Sequence, residues 1–112
     1  MQRGGDIDSE AAADRFGTSV SLSSDGFILA VGASLNDGNG QNSGHVRVFG
    51  WDGSAWRILD TDIDGEAAGD QSGASVSLMI NPFISVAIGA FGNGGNGVGS
   101  GHVRVYTLTD PP

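Results

Sequence analysis

Two short acidic runs, Asp6-x-Asp8-x-Glu10 and Asp62-x-Asp64-Gly65-Glu66, carry carboxylates on alternate residues. That is how a loop begins to gather the oxygen ligands of a hard cation such as Ca²⁺. Neither run is completed by the downstream bidentate glutamate that such a loop needs, and the same residues serve equally as a solvated connector whose Asp and Gly set turn geometry. Asp37 and Asn39, in a glycine-rich stretch, are further oxygen donors within reach of an ion. The candidate metal ligands are therefore Asp62, Asp64, Glu66, Asp37 and Asn39. Ca²⁺ is the one cofactor considered, and the connector reading requires none.

His45 with Arg47, and His102 with Arg104, are spaced so that both members share one side of an extended strand. Catalysis would need a base, a nucleophile and an orienting group converging in a pocket. A contact between repeated units, where arginine pairs with Asp or Glu of its neighbour, needs only the strand. Trp51 and Trp56 flank an Asp52-Gly53 turn, where they would stack on a sugar or seal a contact between subunits. These six residues are assigned to interfaces. Gly92-Asn93-Gly94-Gly95-Asn96-Gly97 has the letters of a dinucleotide fingerprint, but no helix follows to aim its N-terminus at a pyrophosphate. No nucleophile elbow, zinc-protease helix or phosphate-binding loop occurs, so the chain is not expected to be an enzyme.

The elements that carry these residues are short strands. Of 112 residues 20 are glycine and none is cysteine, which excludes disulfides and thiolate metal sites and suits a turn-rich β protein. One cooperative unit is the ceiling at this length. Thirteen acidic residues against five basic ones give a formal charge of −8. A nucleic-acid partner is excluded for want of a basic stripe, and no apolar run reaches the roughly 20 residues that cross a bilayer. The first residues, Met1 to Asp6, lack the apolar core of a signal peptide.

The chain repeats itself. Asp6-Ile7-Asp8-Ser9-Glu10-Ala11-Ala12 returns as Asp62-Ile63-Asp64-Gly65-Glu66-Ala67-Ala68, and Ser19-Val20-Ser21-Leu22 as Ser75-Val76-Ser77-Leu78. Past an inserted Ser85, Ala30-Val31-Gly32-Ala33 returns as Ala87-Ile88-Gly89-Ala90. Ser43-Gly44-His45-Val46-Arg47-Val48 is then repeated without change from Ser100 to Val105. Each copy reads as four strands. Val20 and Leu22 alternate with serines, the pattern of a strand with one buried face. Phe27 to Ala33 is an unbroken apolar run suited to a strand covered on both sides. Val46 and Val48 mark the third strand, and Asp52-Gly53 turns it into a fourth from Ala55 to Leu59. Only about one helical turn, Glu10 to Asp14, competes. Nine-residue loops, 36–44 and 93–101, join the second strands to the third.

Four antiparallel strands per unit is the arithmetic of a β-propeller blade, whose two apolar faces must be covered by neighbours. The expected fold is all-β: two four-stranded antiparallel blades, residues 1–61 and 62–112, the second lacking its own fourth strand. An open edge of that kind has to be covered. Either three or four copies of the chain close a six- or eight-bladed ring, or a longer parent chain supplies the remainder.

The residues Phe16-Gly17, Ser19-Val20, Leu29-Ala30-Val31-Gly32-Ala33-Ser34 and Ser43-Gly44-His45-Val46-Arg47-Val48-Phe49 together resemble the FG-GAP repeat of integrin-type propellers. The second copy keeps Gly73, Ile88-Gly89-Ala90 and Gly101 to Tyr106, but has Ser72 and Phe91 where the pattern has Phe and Pro. The resemblance implies adhesion or ligand binding, to protein or glycan, at an extracellular surface. It also implies a calcium loop between the first two strands. The turns here, Ser23-Ser24-Asp25-Gly26 and Met79-Ile80-Asn81-Pro82, are too short and too poor in carboxylates to hold that ion. A polysaccharide hydrolase with its site in the assembled channel, and a purely structural repeat, are the alternatives.

Overall fold

In the computed structural model the described residues are 1–8, 14–80, 83–93 and 100–108, without the side chains of Asp60 and Thr61. Residues 10–13 of the expected helical turn, the Asn81-Pro82 turn and most of the 93–101 loop lie outside them. Alternating apolar residues broken by glycine-rich turns produce seven strands: β1 (Phe16–Leu22), β2 (Ile28–Ala33), β3 (His45–Trp51), β4 (Trp56–Asp64), β5 (Ser75–Ile80), β6 (Ile84–Ala90) and β7 (His102–Thr107). The fold is all-β, with no helix among the described residues. β1-β2-β3-β4 form one antiparallel sheet and β5-β6-β7 a second, in simple sequence order.

The β3–β4 hairpin closes where the Asp52-Gly53 signal places it. Asp52 Oδ1 accepts the amides of Ser54 at 2.9 Å and Ala55 at 2.8 Å, and Trp51 pairs with Trp56 across the ladder. These amides and the Arg57 guanidinium hold the Asp52 carboxyl far below the usual carboxylate range. β4 runs past the expected end at Leu59 to Asp64. It does so through a bulge, because Val48 opposes Leu59 while Val46 opposes Ile63.

Residues directly opposed in a ladder point to the same face, so the register divides each sheet into two sides. One side of the first sheet carries Val20, Leu22, Leu29, Val31, Arg47, Phe49 and Ile58. Its other side carries Ser21, Ala30, Val48 and Leu59, with Val46 and Ile63 continuing the same face. The second sheet presents Val76, Leu78, Val86, Ile88, Arg104 and Tyr106 on one side, and Ser75, Ser77, Ala87, Val103 and Val105 on the other.

The core lies between the sheets. Ile28, Ala30, Val46 and Val48 of the first sheet are buried against Ile84, Val86, Ile88 and Leu108 of the second, with Leu59, Ile63, Val76, Leu78 and Tyr106 packed around them. Stacking is tightest where β5 crosses β1 and β2. There Ser19 Oγ donates to the Gly73 carbonyl at 2.7 Å and the Leu78 amide donates to Ser21 Oγ at 3.1 Å.

One expectation is corrected here. β1 does alternate, but its serines turn inward while Val20 and Leu22 are 61 % and 55 % exposed. Small hydroxyl side chains let two backbones approach and satisfy the polar groups trapped between them. Bulkier valine and leucine could not fill the same gap, and they take the opposite side.

Candidate functional site

The acidic connector that follows β4 and the polar ends of β3 and β7 come together at one end of the sheets. The bulge in β4 turns Asp62 back onto the side occupied by Arg47, a known use of such irregularities. Arg47 Nε and Nη2 reach the two carboxylate oxygens at 2.7 and 2.8 Å. His45, almost wholly buried, sits 3.9 Å from Asp62 and 3.8 Å from Asp64 through Nδ1. The Arg47 hydrogen bonds hold Asp62 below its ordinary pKa of 3.8, with burial opposing the shift.

A depressed folded-state pKa contributes stability that is complete above the ordinary value and is lost as pH falls through the depressed one. Asp62→Asn is therefore expected to lower Tm by several degrees near neutral pH. The gap from the native chain should narrow once pH drops below about 3.8. Thermal melts followed by circular dichroism across that window check the sign.

The second unit repeats the arrangement with a different acid. Glu66 pairs with the Arg104 guanidinium, and its other oxygen lies 3.5 Å from His102 Nδ1. Glu66 Oε1 also accepts Asn93 Nδ2 at 2.7 Å. The Arg104 guanidinium is pushed above its usual pKa by Tyr106 and by the Glu66 charge.

Beneath each cluster lies a buried clasp that the strand pattern alone does not reveal. Asn36 Nδ2 donates to Asp14 at 2.9 Å, and Asn93 Nδ2 donates to Asp70 at 2.9 Å. All four residues are buried. The backbone repeats too: Leu35 N bonds the Asp14 carbonyl, as Gly92 N bonds that of Asp70. The clasp ties the connector entering each unit to the end of its second strand. Identity of both residues at equivalent places in the two copies was the available signal.

The candidate cation ligands do not converge on one ion. Asp62 and Asp64 belong to the His45–Arg47 cluster. Asp37 Oδ1 closes its own loop by accepting the Asn42 amide at 2.8 Å. Asn39 spans to the connector, donating to the carbonyls of Gly65 at 2.9 Å and Glu66 at 3.2 Å. Glu66, Asp70 and His102 do bring ligand atoms within 4.8 Å of one another. Into that group, however, point the Asn93 amide hydrogens and the Arg104 guanidinium, which are donors where Ca²⁺ wants oxygens.

In the first β1–β2 turn the Asp25 carboxylate closes the turn itself. Asp25 accepts Ser23 Oγ at 2.6 Å and the Phe27 amide at 3.0 Å, and these bonds lower its pKa. Of the remaining assigned residues, Trp51 and Trp56 meet edge to face at 5.3 Å. Beside Trp51 a largely apolar hollow of about 450 Å³ opens against Ile28, Leu59 and Arg57.

The polar clusters thus act as fasteners: charge-paired, hydrogen-bonded and duplicated. What they fasten is the stacked-sheet architecture, and the comparisons with known proteins agree with it. No curated protein matches the chain. Residues 8–49, from the first acidic run to the end of β3's apolar stretch, match the profile described as the FG-GAP repeat. Residues 8–49 therefore carry an FG-GAP repeat, a match that suggests a β-propeller-type interaction module.

Proposed function

We propose that this chain is a non-catalytic module that builds a propeller by stacking further copies of itself on its two outer sheet faces, three or four chains closing the ring. The assembled surface then serves to bind protein or glycan. One observation carries the reading: the contact between the two sheets joins unlike faces, and each half of that contact recurs on the outside, exposed at Val20 and Leu22 on one sheet and at Val103 and Val105 on the other.

By the repeat, Val46 and Val48 correspond to Val103 and Val105, and Ser19 and Ser21 correspond to Ser75 and Ser77. The first set is covered by the second sheet. The second set stands on the outer face, where Val103 and Val105 are 69 % and 70 % exposed. In the same way Val76 and Leu78, packed at the core, correspond to the exposed Val20 and Leu22. Gly73, whose carbonyl receives Ser19, has φ +91°, and its counterpart Gly17 has φ +91° as well.

A second copy presenting Ser75 and Ser77 to Gly17 and Leu22 would repeat the internal contact with the same groups. Such a head-to-tail contact either closes into a ring or runs on as a filament. Apolar faces of this kind, framed by polar residues, mark association surfaces.

The test uses the absence of native cysteine. Leu22→Cys and Ser77→Cys chains, prepared separately and mixed under mild oxidation, should form a disulfide-linked heterodimer, since the internal equivalents Ser21 and Leu78 touch. Each variant alone should stay uncrosslinked. Homodimers formed as readily by the separate variants, or no crosslink in the mixture, would refute the stacking.

A further inference from the structure

The loop between β2 and β3 is held against the connector between β4 and β5 by a row of backbone bonds. The amides of Gly65, Gly69, Gln71 and Ser72 donate to the carbonyls of Gly44, Gln41, Asn42 and Ser43, each at 2.8 or 2.9 Å. A side chain crosses with them. Asn39 Nδ2 donates to the Gly65 carbonyl at 2.9 Å and to the Glu66 carbonyl at 3.2 Å, so a single carboxamide latches both.

Asn39 is followed by Gly40. Glycine has no Cβ to shield its backbone nitrogen, and that nitrogen can close an imide ring on the carboxamide of the residue before it. The native fold opposes the closure. The Gly40 N–H is donated to the Asp37 carbonyl at 3.2 Å, and the Asn39 N–H to Ser43 Oγ at 3.2 Å. Nitrogen and carboxamide are tied to different partners, and both have to be released before they meet.

We propose that Asn39-Gly40 is a self-modification site that records each opening of this loop, and that the modification keeps the loop from closing again. On opening, the Gly40 nitrogen gives up its proton and attacks Asn39 Cγ. The Cγ–Nδ2 bond breaks, ammonia leaves with that proton, and a cyclic imide remains. Water then opens the imide at either carbonyl. Attack at Cγ leaves aspartate, whereas attack at the main-chain carbonyl routes the backbone through the side chain as isoaspartate.

Neither product can remake the latch. A carboxylate accepts hydrogen bonds and donates none, so at residue 39 it would face the Gly65 and Glu66 carbonyls oxygen to oxygen. It also adds negative charge to a chain whose formal charge is already −8. The site lies in a loop and not on a sheet face, and its readouts need no self-association.

Trypsin places Asn39 on the peptide Phe16–Arg47, whose one Asn-Gly pair is Asn39-Gly40, while the pairs at 93–94 and 96–97 fall on Ile58–Arg104. After timed incubation of the folded chain at mildly alkaline pH, mass spectrometry of Phe16–Arg47 and methyl transfer by an isoaspartate methyltransferase read the product. The isolated peptide, incubated alike, should convert at least about tenfold faster, the equivalent of a local opening that costs about 1.4 kcal/mol. Chains modified at residue 39 should melt several degrees below unmodified ones, and Asn39→Asp should reproduce that shift. Asn39→Ala, which loses the donors without adding a charge, should melt between Asn39→Asp and the native chain. The proposal is overturned if the folded chain converts as fast as the peptide, if it stays unconverted through prolonged incubation, or if Asn39→Asp melts with the native chain.

Discussion

Gly32→Ala should lower the melting temperature by about 10 °C or more, although it adds a single methyl group. The added Cβ would stand 2.0 Å from the Gly73 carbonyl oxygen, 2.5 Å from Ser19 Oγ and 2.9 Å from the Gly73 carbonyl carbon. Two of those three atoms belong to backbone and cannot swing aside. The sheets must separate, and separation loosens the Ser19 and Ser21 hydrogen bonds together with the contact of Ala30 and Val48 on Val86 and Ile88. Overpacking of this kind costs about 1–3 kcal/mol, and a change of 1 kcal/mol moves the Tm of a small domain by about 4–8 °C. Gly5→Ala is the matched control, because nothing lies within 4 Å of its Cβ position. Its melt should coincide with that of the native chain. Equal melts for the two variants would mean that the sheets do not stack at this distance.

The second large effect is on association. Val105→Asp alters a residue that is 70 % exposed within one chain, so its circular dichroism and melting should stay close to native when assembly is prevented by dilution. In the proposed ring the same side chain takes the position that Val48 holds in the internal contact, where exposure is 3 %. Moving a carboxylate into that position costs several kcal/mol. The concentration needed for assembly should rise by about a hundredfold or more. A substitution that leaves the fold intact and removes association separates the outer face from the core.

Much of this architecture was legible in the sequence. The duplication was visible as identical segments, and the Asp52-Gly53 turn between two tryptophans placed the β3–β4 hairpin correctly. The alternation in Ser19-Val20-Ser21-Leu22 located β1 but could not say which alternate faced the neighbour. Hydrophobicity points to Val20 and Leu22, whereas close approach of two backbones selects the serines. The length of β4 was hidden by its bulge, since the residues between Leu59 and Ile63 have no alternating pattern to follow.

The metal reading of the acidic runs depended on carboxylate spacing, which says nothing about donors arriving from elsewhere. Arg47, Arg104 and Asn93 reach those carboxylates from 15, 38 and 27 residues away. The Asp14–Asn36 and Asp70–Asn93 clasps bridge similar separations. Arg3, whose guanidinium lies 5.2 Å from the ring centres of Trp51 and Trp56, is more remote still, 53 residues from Trp56, and only folding brings them together.

The mass of the native chain in solution tests the central claim most directly. Sedimentation equilibrium across a range of concentrations should give a discrete species of three or four times 11.3 kDa, and Val105→Asp should return it to the single-chain mass. A native chain that stays at 11.3 kDa at every concentration, with the same cooperative melt as Val105→Asp, would contradict the account.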